Sequence, residues 1–396
     1  MKNNFLIFCI SLSILTLTLC KGQEKNEWIE DLNYLSEHLP QQHIDFYKLI
    51  DSVEFENEIN HLINIIDSLD DYEVVFGIQK ILASMHVAHT LIPIQRGSSS
   101  KILPIRFELF DDGLFIIGVD ESRKGFIGKK VIAINNIPLD KIYKRLEPLV
   151  SYENEFWLKR QIPDFINNTK ILEYVNVIEK SDLISFQLDN NESFDLSIQH
   201  RNSKIIYSSI LSELTWLKNQ HKNYWFDTLA NDVLYIQYNK CSEDKKYSFE
   251  KFITDISLAI SDFNIRTVII DLRLNGGGSS EIIKPLIHKL QEYQDIKFYT
   301  AISKRTFSSG RIAAINLKEK LGSELIGQST GGSPKSYGWN EHLILPNSKL
   351  AVNYCIKYFS LMDTDKDFIE PDINTDFNSN DVFTGKDLVL DYIVNK

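Results

Sequence analysis

The strongest constraint on the fold is an uninterrupted apolar strand, Thr267-Val268-Ile269-Ile270. Strands this apolar are buried on both faces, as in a mainly parallel sheet covered by helices. The surrounding sequence alternates strand and helix patterns, which is typical of such a sheet. It runs through a strand at 233–238, a helical period at 249–263, a strand at 298–302 and a helix from near Ser308 to Leu321. The pattern predicts an α/β core.

Two segments of different character precede this core. Residues 24–84 carry apolar side chains at helical spacing, beginning with Trp28, Leu32 and Leu35. Residues 100–140 contain short apolar runs broken by turn signals, which predicts a β-rich unit. The 396 residues suit two or three folded units. We expect a leader at 1–22, a helical lead segment at 23–98, a β-rich unit at 99–210 and the core at 211–396.

The first residues are typical of a secretory signal, because Lys2 precedes an uncharged apolar run from Phe5 to Cys20. This run is shorter than the roughly 20 residues that a transmembrane helix needs. Cleavage after Gly22 would remove Lys2 and Lys21 and change the net charge from −11 to −13. Residues 17–20 also resemble a bacterial lipobox, so a lipid anchor at Cys20 is the alternative to simple cleavage.

Composition excludes several classes of partner. The 54 acidic residues outnumber the 43 basic ones, and no Lys/Arg cluster is present, so nucleic acid is not an expected partner. After the leader only Cys241 and Cys355 remain, which cannot form a disulfide framework. The histidines are scattered, with His86 and His89 the nearest pair, so neither a metal nor a cofactor is expected.

The block Asp271-Leu272-Arg273-Leu274-Asn275-Gly276-Gly277-Gly278 follows the apolar strand and precedes a helix. Its glycines permit positive φ and leave backbone N–H groups accessible. Such groups at a helix start can bind a phosphate or the oxyanion of an acyl-transfer intermediate. The spacing matches neither nucleotide-binding glycine motif, which favours the oxyanion interpretation. A purely structural turn is the competing interpretation.

A second candidate is Ser308, at the start of the helix that follows the next strand. Serine in this position is most often a helix N-cap. It also places a hydroxyl in the positive field of the helix beside the N–H of Ser309, where a nucleophile and an oxyanion donor would be needed together.

A serine nucleophile requires a general base, and His89 is the best candidate because it lies where a helical pattern gives way to a loop. His86, on the preceding turn, competes for the role. Separation along the chain does not exclude a pair with Ser308, because catalytic triads occur in several chain orders.

Taken together, and in their order along the chain, these segments resemble those of the tail-specific, or C-terminal-processing, serine peptidases. The resemblance is to their tricorn-like and interphotoreceptor-retinoid-binding-protein-like branch in particular. The resemblance covers most of the mature chain. It rests on Ala88-His89-Thr90, the run 127–135, the block 271–278, Thr306-Phe307-Ser308, and the segments 327–332, 345–348 and 370–373.

The resemblance implies an exported, cofactor-free serine endopeptidase with a ClpP/crotonase-like core at 211–396 and a PDZ-like unit at 99–210. Ser308 matches the nucleophile and His89 the general base. The N–H groups of Ser309 and of Gly276 and Gly277 match the oxyanion hole. The substrate would be a peptide or protein, which the PDZ-like unit could capture by strand addition.

The orienting acid of the histidine branch falls on Asp365, with Asp363 and Glu370 as neighbouring alternatives. Ala88 stands where the branch has a supporting serine, and Ser333 stands where another branch has its lysine. These departures leave two other hypotheses. One is a non-catalytic peptide- or lipid-binding protein of the same fold, and the other is a crotonase-type acyl-thioester enzyme.

Overall fold

A computed structural model describes residues 22–94, 101–179, 183–200, 204–229 and 232–396. The predicted signal sequence, apart from Gly22, and the predicted anchor at Cys20 lie outside the described residues. None of the described helices is long and apolar enough to cross a membrane.

The lead segment is helical, as its spacing predicts. Asp51 accepts hydrogen bonds from the N–H groups of Val53 and Glu54 and so caps the third helix. Asp70 and Glu73 form a capping box at the start of the fourth. The helices are α1 (Lys25–Gln42), α2 (Phe46–Leu49), α3 (Ser52–Ile65) and α4 (Asp71–Ala83).

The middle of the chain forms an antiparallel sheet of seven strands, with short helices packed against it. The strands are β1 (Lys101–Ile102), β2 (Ile105–Phe110), β3 (Gly113–Val119), β4 (Lys130–Ile134), β5 (Ile137–Pro138), β6 (Leu183–Leu188), β7 (Ser193–Ser197), β8 (Gln199–His200) and β9 (Ile206–Tyr207), and the helices are α5 (Leu139–Leu146), α6 (Glu155–Ile166), α7 (Thr169–Tyr174) and α8 (Ser209–Glu213). The central order of the sheet is β2-β3-β4-β6-β7, with β5 paired to β4 and β9 paired to β3. Strands β1 and β8 pair separately.

The last part of the chain contains a six-stranded sheet and a separate pair of strands. The strands are β10 (Tyr224–Leu229), β11 (Val233–Tyr238), β12 (Thr267–Asp271), β13 (Lys297–Ile302), β14 (Glu324–Gly327), β15 (Lys335–Ile344), β16 (Ala351–Ser360) and β17 (Ile373–Asn374), and the helices are α9 (Phe249–Asp262), α10 (Lys284–Leu290), α11 (Ser309–Leu321), α12 (Ser379–Phe383) and α13 (Leu388–Val394). The six-stranded sheet has the order β10-β11-β12-β13-β14-β17, in which all pairs but β10 with β11 are parallel.

This sheet is covered on both faces, which confirms the α/β expectation. Val268 and Ile270 pack with α9, α10 and α11, while Ile269 packs with α13 on the opposite face. All three residues are fully buried. The apolar strand therefore occupies the position that its composition requires.

Strands β15 and β16 form a separate hairpin that covers the lead helices. Leu345, Val352 and Cys355 of this region share one apolar cluster with Trp28 and Leu35 of α1. The buried Asp31 carboxylate accepts hydrogen bonds from the N–H groups of Asn347 and Ser348, at 2.7 and 2.8 Å. The first and last thirds of the chain therefore build one hydrophobic core together.

Candidate active site

The site forms at the carboxyl edge of the six-stranded sheet, where β12 and β13 end side by side. Because these strands are adjacent and parallel, the segments that follow Asp271 and Ile302 meet at the same edge. Thr306 Oγ1 donates to the carbonyl of Leu272 at 2.9 Å, and Ser303 Oγ donates to the carbonyl of Arg273 at 2.7 Å. The glycine block and the serine loop therefore lie against each other.

Asn275 fixes the relative position of the two segments. Its carbonyl accepts a hydrogen bond from the N–H of Phe307 at 3.0 Å. Its side-chain Nδ2 donates to the carbonyl of Tyr238 at 2.7 Å, and its Oδ1 accepts from the N–H of Gly277 at 2.9 Å. The residue is fully buried, so these bonds are shielded from water.

Ser308 occupies a strained turn between the serine loop and α11. Its φ of 51° and ψ of −125° lie in a region that residues with a Cβ rarely adopt, at a cost of roughly 1–3 kcal/mol. A serine on such a sharp turn into a helix presents its hydroxyl at the end of a sheet, as in the nucleophile elbow of the α/β-hydrolases. The strain is an observation that the helix N-cap interpretation does not explain, because Ser308 makes no side-chain capping bond.

Gly277 packs directly against Ser308. A Cβ added to Gly277 would lie 2.6 Å from the Ser308 Cβ, 3.1 Å from its Oγ and 3.1 Å from the N of Ser309. The φ of 111° at Gly277 also excludes a side chain. Position 277 therefore requires glycine, because Ser308 and the backbone N of Ser309 occupy the space that a side chain would need.

The predicted oxyanion donors have different environments. The expectation for Gly277 is corrected, because its N–H already donates to Asn275 Oδ1 and is not available to a substrate. Ser309 is the first residue of α11, so its N–H has no partner within that helix. Gly276 faces open space, since a Cβ there would have no atom within 4 Å. Ser309 and Gly276 therefore keep the predicted role as candidates.

His89 lies beside the serine loop, and its ring stacks on Phe307 with centroids 4.5 Å apart. Trp157 stacks on the other side of Phe307, with a centroid distance of 3.7 Å. His86 is exposed and makes its ring contact with Tyr152 instead. The sequence leaves His89 and His86 as candidates for the general base. Of the two, the structure places His89 against Phe307, the residue that precedes Ser308.

Burial, reinforced by the positive charge of Arg311, lowers the pKa of His89 to about 3, while the Tyr337 backbone acts in the opposite direction. The imidazole is therefore neutral near pH 7, the form that a general base requires. Its Nδ1 is buried without a hydrogen-bond partner among the described residues. Among the described residues, no hydrogen bond joins His89 to Ser308.

The loop that carries His89 is held by three parts of the chain. Thr90 Oγ1 bonds to His43 Nε2 at 2.8 Å and contacts the Cys355 Sγ at 3.6 Å. The Thr90 carbonyl accepts from Ser151 Oγ at 2.8 Å. Leu91 then pairs with Asn353 of β16 through two backbone hydrogen bonds.

The predicted orienting carboxylates do not approach His89. Asp365 is exposed on the loop after β16, and so are its alternatives Asp363 and Glu370. Asp363 lies 4.0 Å from Lys335, and Glu370 pairs with Lys366. The structure therefore gives no support to the assignment of Asp365, because the loop exposes its carboxylate to solvent, whereas His89 is buried.

Sequence reasoning missed two charged residues near the histidine loop, Glu153 and Arg311. Both carboxylate oxygens of Glu153 are buried without a hydrogen-bond partner among the described residues. Arg311 lies one turn into α11, is buried, and donates to the carbonyl of Ser333. For Arg311 the sequence did offer a signal, namely a charged residue only three positions after Ser308. For Glu153 it offered none, because nothing in the surrounding sequence distinguishes this residue from a surface residue.

An open cleft of about 560 Å³ lies beside residues 303–305, in the loop that leads to Ser308. Its walls include Ser303, Lys304 and Arg305, together with Phe377 and Val389 from the end of the chain. Ser308, Gly277 and His89 do not line it. The described residues contain no group of three or more His, Cys, Asp or Glu side chains that could hold a metal ion.

Comparison with known proteins identifies the fold. The structure is similar to mature CPAF in complex with lactacystin, with a TM-score of 0.66 over 94% of this chain and 97% of that one, at 10% sequence identity. It is similar to another structure of mature CPAF, with a TM-score of 0.64 over 93% and 96% of the two chains, at 11% identity. A photosystem II D1 C-terminal processing protease matches at a TM-score of 0.41 and 11% identity over 92% of this chain and 98% of that one.

No family model matches the sequence, and no curated protein matches it. The resemblance predicted from the motifs is nevertheless confirmed at the level of fold: the chain has the fold of the S41, or tail-specific, proteases. At 10–11% identity this likeness shows the fold alone.

Proposed function

We propose that this protein is a serine peptidase in which Ser308 is the nucleophile and His89 the general base. The observation that carries the proposal is the strained turn at Ser308, packed against Gly277 at the start of α11. Such strain persists only where the surrounding structure enforces it, and it is characteristic of active sites. The shared fold with S41 proteases is a second, independent support.

In this mechanism Ser308 Oγ attacks the carbonyl carbon of the scissile peptide bond and transfers its proton to the imidazole of His89. The N–H groups of Ser309 and Gly276 would stabilise the oxyanion of the tetrahedral intermediate. The C–N bond then breaks, and the proton on the imidazole passes to the departing amine. Water hydrolyses the acyl-enzyme by the same route in reverse. Catalytic hydrogen bonds are often long before substrate binds, so the missing Ser308–His89 bond is compatible with this sequence.

The experiment is cleavage of a casein-derived peptide library by the wild type, Ser308→Ala and Ser280→Ala. Ser280 is a matched control, because it lies near the glycine block and its hydroxyl makes only a 3.5 Å contact with Glu281. We expect cleavage by the wild type and Ser280→Ala, and none by Ser308→Ala. Equal cleavage by all three would overturn the assignment.

A non-catalytic peptide- or lipid-binding protein of the same fold is the second candidate. It is favoured by the strongly lowered pKa of His89 and by the exposure of Asp365, which leave the histidine without the predicted acid. In that case the folded wild type would cleave no peptide but would bind peptides or lipid vesicles with the same affinity as Ser308→Ala.

We also propose the finer architecture that the resemblance implies, a ClpP/crotonase-like core and a PDZ-like unit. The mainly parallel sheet with helices on both faces supports the first, and the antiparallel seven-stranded sheet supports the second. Capture of an extended substrate by the PDZ-like unit would follow from strand addition.

Export is a further part of the proposal, and it rests on the leader-like sequence at 1–22. Mass spectrometry of the protein recovered from its native host distinguishes the alternatives. A chain that begins at Gln23 indicates simple cleavage, a lipid-modified Cys20 indicates an anchor, and an intact Met1 in the cytosol would contradict export.

A further inference from the structure

Two buried polar groups near the proposed catalytic histidine lack partners, and they are chemically complementary. One is Nδ1 of His89, and the other is the carboxylate of Glu153. A buried polar group without a hydrogen bond is unfavourable, because it has lost its contacts with water and gained none in return. A neutral imidazole protonated at Nδ1 is a donor at that atom, and an ionised carboxylate only accepts. Each group therefore supplies what the other lacks.

The surroundings of Glu153 place it beside the histidine loop. The backbone N–H groups of Ala88 and Ser333 lie near its carboxylate without forming a hydrogen bond of standard geometry, and the charge of Arg311 also acts on it. Ala88 directly precedes His89 in the chain. Arg311 also acts on His89, so one guanidinium is near both unpartnered groups.

The segment that carries Glu153 is fixed on both sides. Two residues before it, Ser151 donates to the carbonyl of Thr90, the neighbour of His89. Directly after it, Asn154 Nδ2 donates to the carbonyls of Gly331 and Asp367, at 3.1 and 2.7 Å. Asn154 also caps α6 through the N–H of Trp157, which stacks on Phe307. This anchoring holds the carboxylate next to the histidine loop.

We propose that Glu153 is the positioning residue of this site, and that its carboxylate accepts a hydrogen bond from Nδ1–H of His89 through a bridging water molecule. The two groups are not within ion-pair distance, and polar groups separated by more than 3.5 Å are commonly joined in this way. A proton held on Nδ1 leaves Nε2 free to accept the proton of Ser308. The catalytic meaning of this contact rests on the proposed function, whereas the contact itself does not.

The electrostatics of Glu153 agree with this role. Burial raises its pKa to about 7, against the opposing effects of Arg311 and of the Ala88 and Ser333 backbone, with Asp367 adding to the increase. A carboxyl group with this pKa is about half ionised at pH 7, and a positive imidazolium formed beside it would favour the ionised state. The negative charge would thus be strongest at the moment when His89 takes the proton.

The direct test is the tautomer of His89, determined at pH 8 by NMR on ¹⁵N-histidine-labelled wild type, Glu153→Gln and Glu155→Gln. At this pH the wild-type Glu153 is mainly ionised and His89 is neutral. Glu155 is a matched control, because it lies two residues away and its exposed carboxylate pairs with Lys159 on the surface. We expect Glu153→Gln to remove the Nδ1-protonated tautomer signature of His89 and Glu155→Gln to leave it unchanged.

Peptide cleavage by the same variants gives the second readout. We expect Glu153→Gln to lower kcat by roughly 10- to 100-fold with little change in KM, because the acid–base step is impaired while substrate binding is not. Glu153→Asp keeps a carboxylate and should recover part of the rate, which distinguishes positioning from a purely structural role. If Glu153→Gln does not fold, the His89 tautomer of Glu153→Asp is compared with that of the wild type instead, and a smaller loss of the Nδ1-protonated form is expected.

The outcomes separate the two proposals. An Nδ1-protonated His89 in Glu153→Gln, unchanged from the wild type, would overturn the role of Glu153 and would leave the Tyr337 backbone as the orienting group, whatever the activity of the protein. A changed tautomer in a protein that cleaves no peptide would support the contact and contradict the proposed function.

Discussion

At the scale of single residues, the glycine block offers a sharp test of the nucleophile position. Gly277→Ala would place a methyl group 2.6 Å from the Ser308 Cβ, so the serine and the first amide of α11 must move. Misplacement of reacting groups by about 1 Å can cost 10²-fold in rate. We therefore expect peptide cleavage to fall by roughly 100-fold or more.

Gly125→Ala is the control, because a methyl group there meets no atom within 4 Å and the residue lies outside the candidate site. It should retain activity within a few-fold of the wild type. Equal effects of the two substitutions would show that Ser308 is not held in place by its contact with Gly277.

The titration of His89 predicts a pH dependence of stability. Its pKa is about 3 in the folded protein and 6.5 in the reference state, so the unfolded chain binds one more proton between these values. The free energy of unfolding should therefore decrease as pH falls from 6.5 towards 3, by up to about 1.4 kcal/mol per pH unit from this group. His89→Gln should decrease less steeply in urea denaturation over the same range. Parallel curves for the two proteins would contradict the buried neutral state of His89.

Sequence reasoning succeeded at residues whose role depends on local context and failed where it depends on distant contacts. Ser308 and His89 were recognisable from helix and loop boundaries and from their motifs, although their catalytic roles stay predictions. The assignment of Asp365 stays an unsupported prediction, because its position relative to His89 depends on the path of a long loop. Glu153 was missed because its burial results from packing between Ala88, Arg311 and Ser333, which are far apart in sequence.

At the scale of secondary-structure elements, a buried ion network attaches α13 to the end of β12. Arg273 pairs with Asp271 at 2.6 Å and with Asp387 at 2.8 Å, and Tyr235 donates to Asp271 at 2.7 Å. Asp387 also caps α13 through the N–H groups of Val389 and Leu390. The aspartate and arginine of the glycine block therefore serve the structure, beside the residues that form the candidate site.

Asp387→Ala should destabilise the protein by about 3 kcal/mol, because it leaves part of the Arg273 charge unpaired in a buried setting and removes a helix cap. Urea denaturation measures the change. Asp391→Ala, on the exposed side of the same helix, is the control and should cost much less. A loss below 1 kcal/mol for Asp387→Ala would show that solvent compensates for the missing partner.

The elements themselves were predictable to different degrees. The apolar strand and the helices α9 and α11 follow from periodicity and appear where the pattern places them. Helix α6 was not predicted, because Pro163 and the polar residues at 150–170 hide its helical period. Its N-cap Asn154 was the local signal that could have identified it.

At the scale of the whole molecule, the candidate site exists because the two ends of the chain share a core. His89 belongs to the lead segment, whose apolar cluster includes residues of the hairpin formed by β15 and β16. Because His89 and Ser308 lie in different segments, a site that uses both requires the lead segment to dock onto the core. The sequence does not predict that the hairpin mediates this docking, because the cluster joins residues about 300 positions apart in the chain.

Val352→Ala tests this coupling, because Val352 is fully buried in the hairpin against the lead helices. We expect a loss of roughly 1–3 kcal/mol and faster amide hydrogen exchange in α1 and α3, with α9 unaffected. Val53→Ala, an exposed valine in α3, is the control. Unchanged exchange in the lead helices would indicate that they do not depend on the hairpin.

The central claim is that Ser308 is an activated nucleophile, and covalent labelling tests it most directly. The purified protein is treated with a fluorophosphonate, and the modified residue is located by peptide mass spectrometry. The account predicts one phosphonylated serine, Ser308, with no labelling in Ser308→Ala and much slower labelling in His89→Gln. A folded wild-type protein in which Ser308 remains unmodified, or equal labelling in Ser308→Ala, would contradict it.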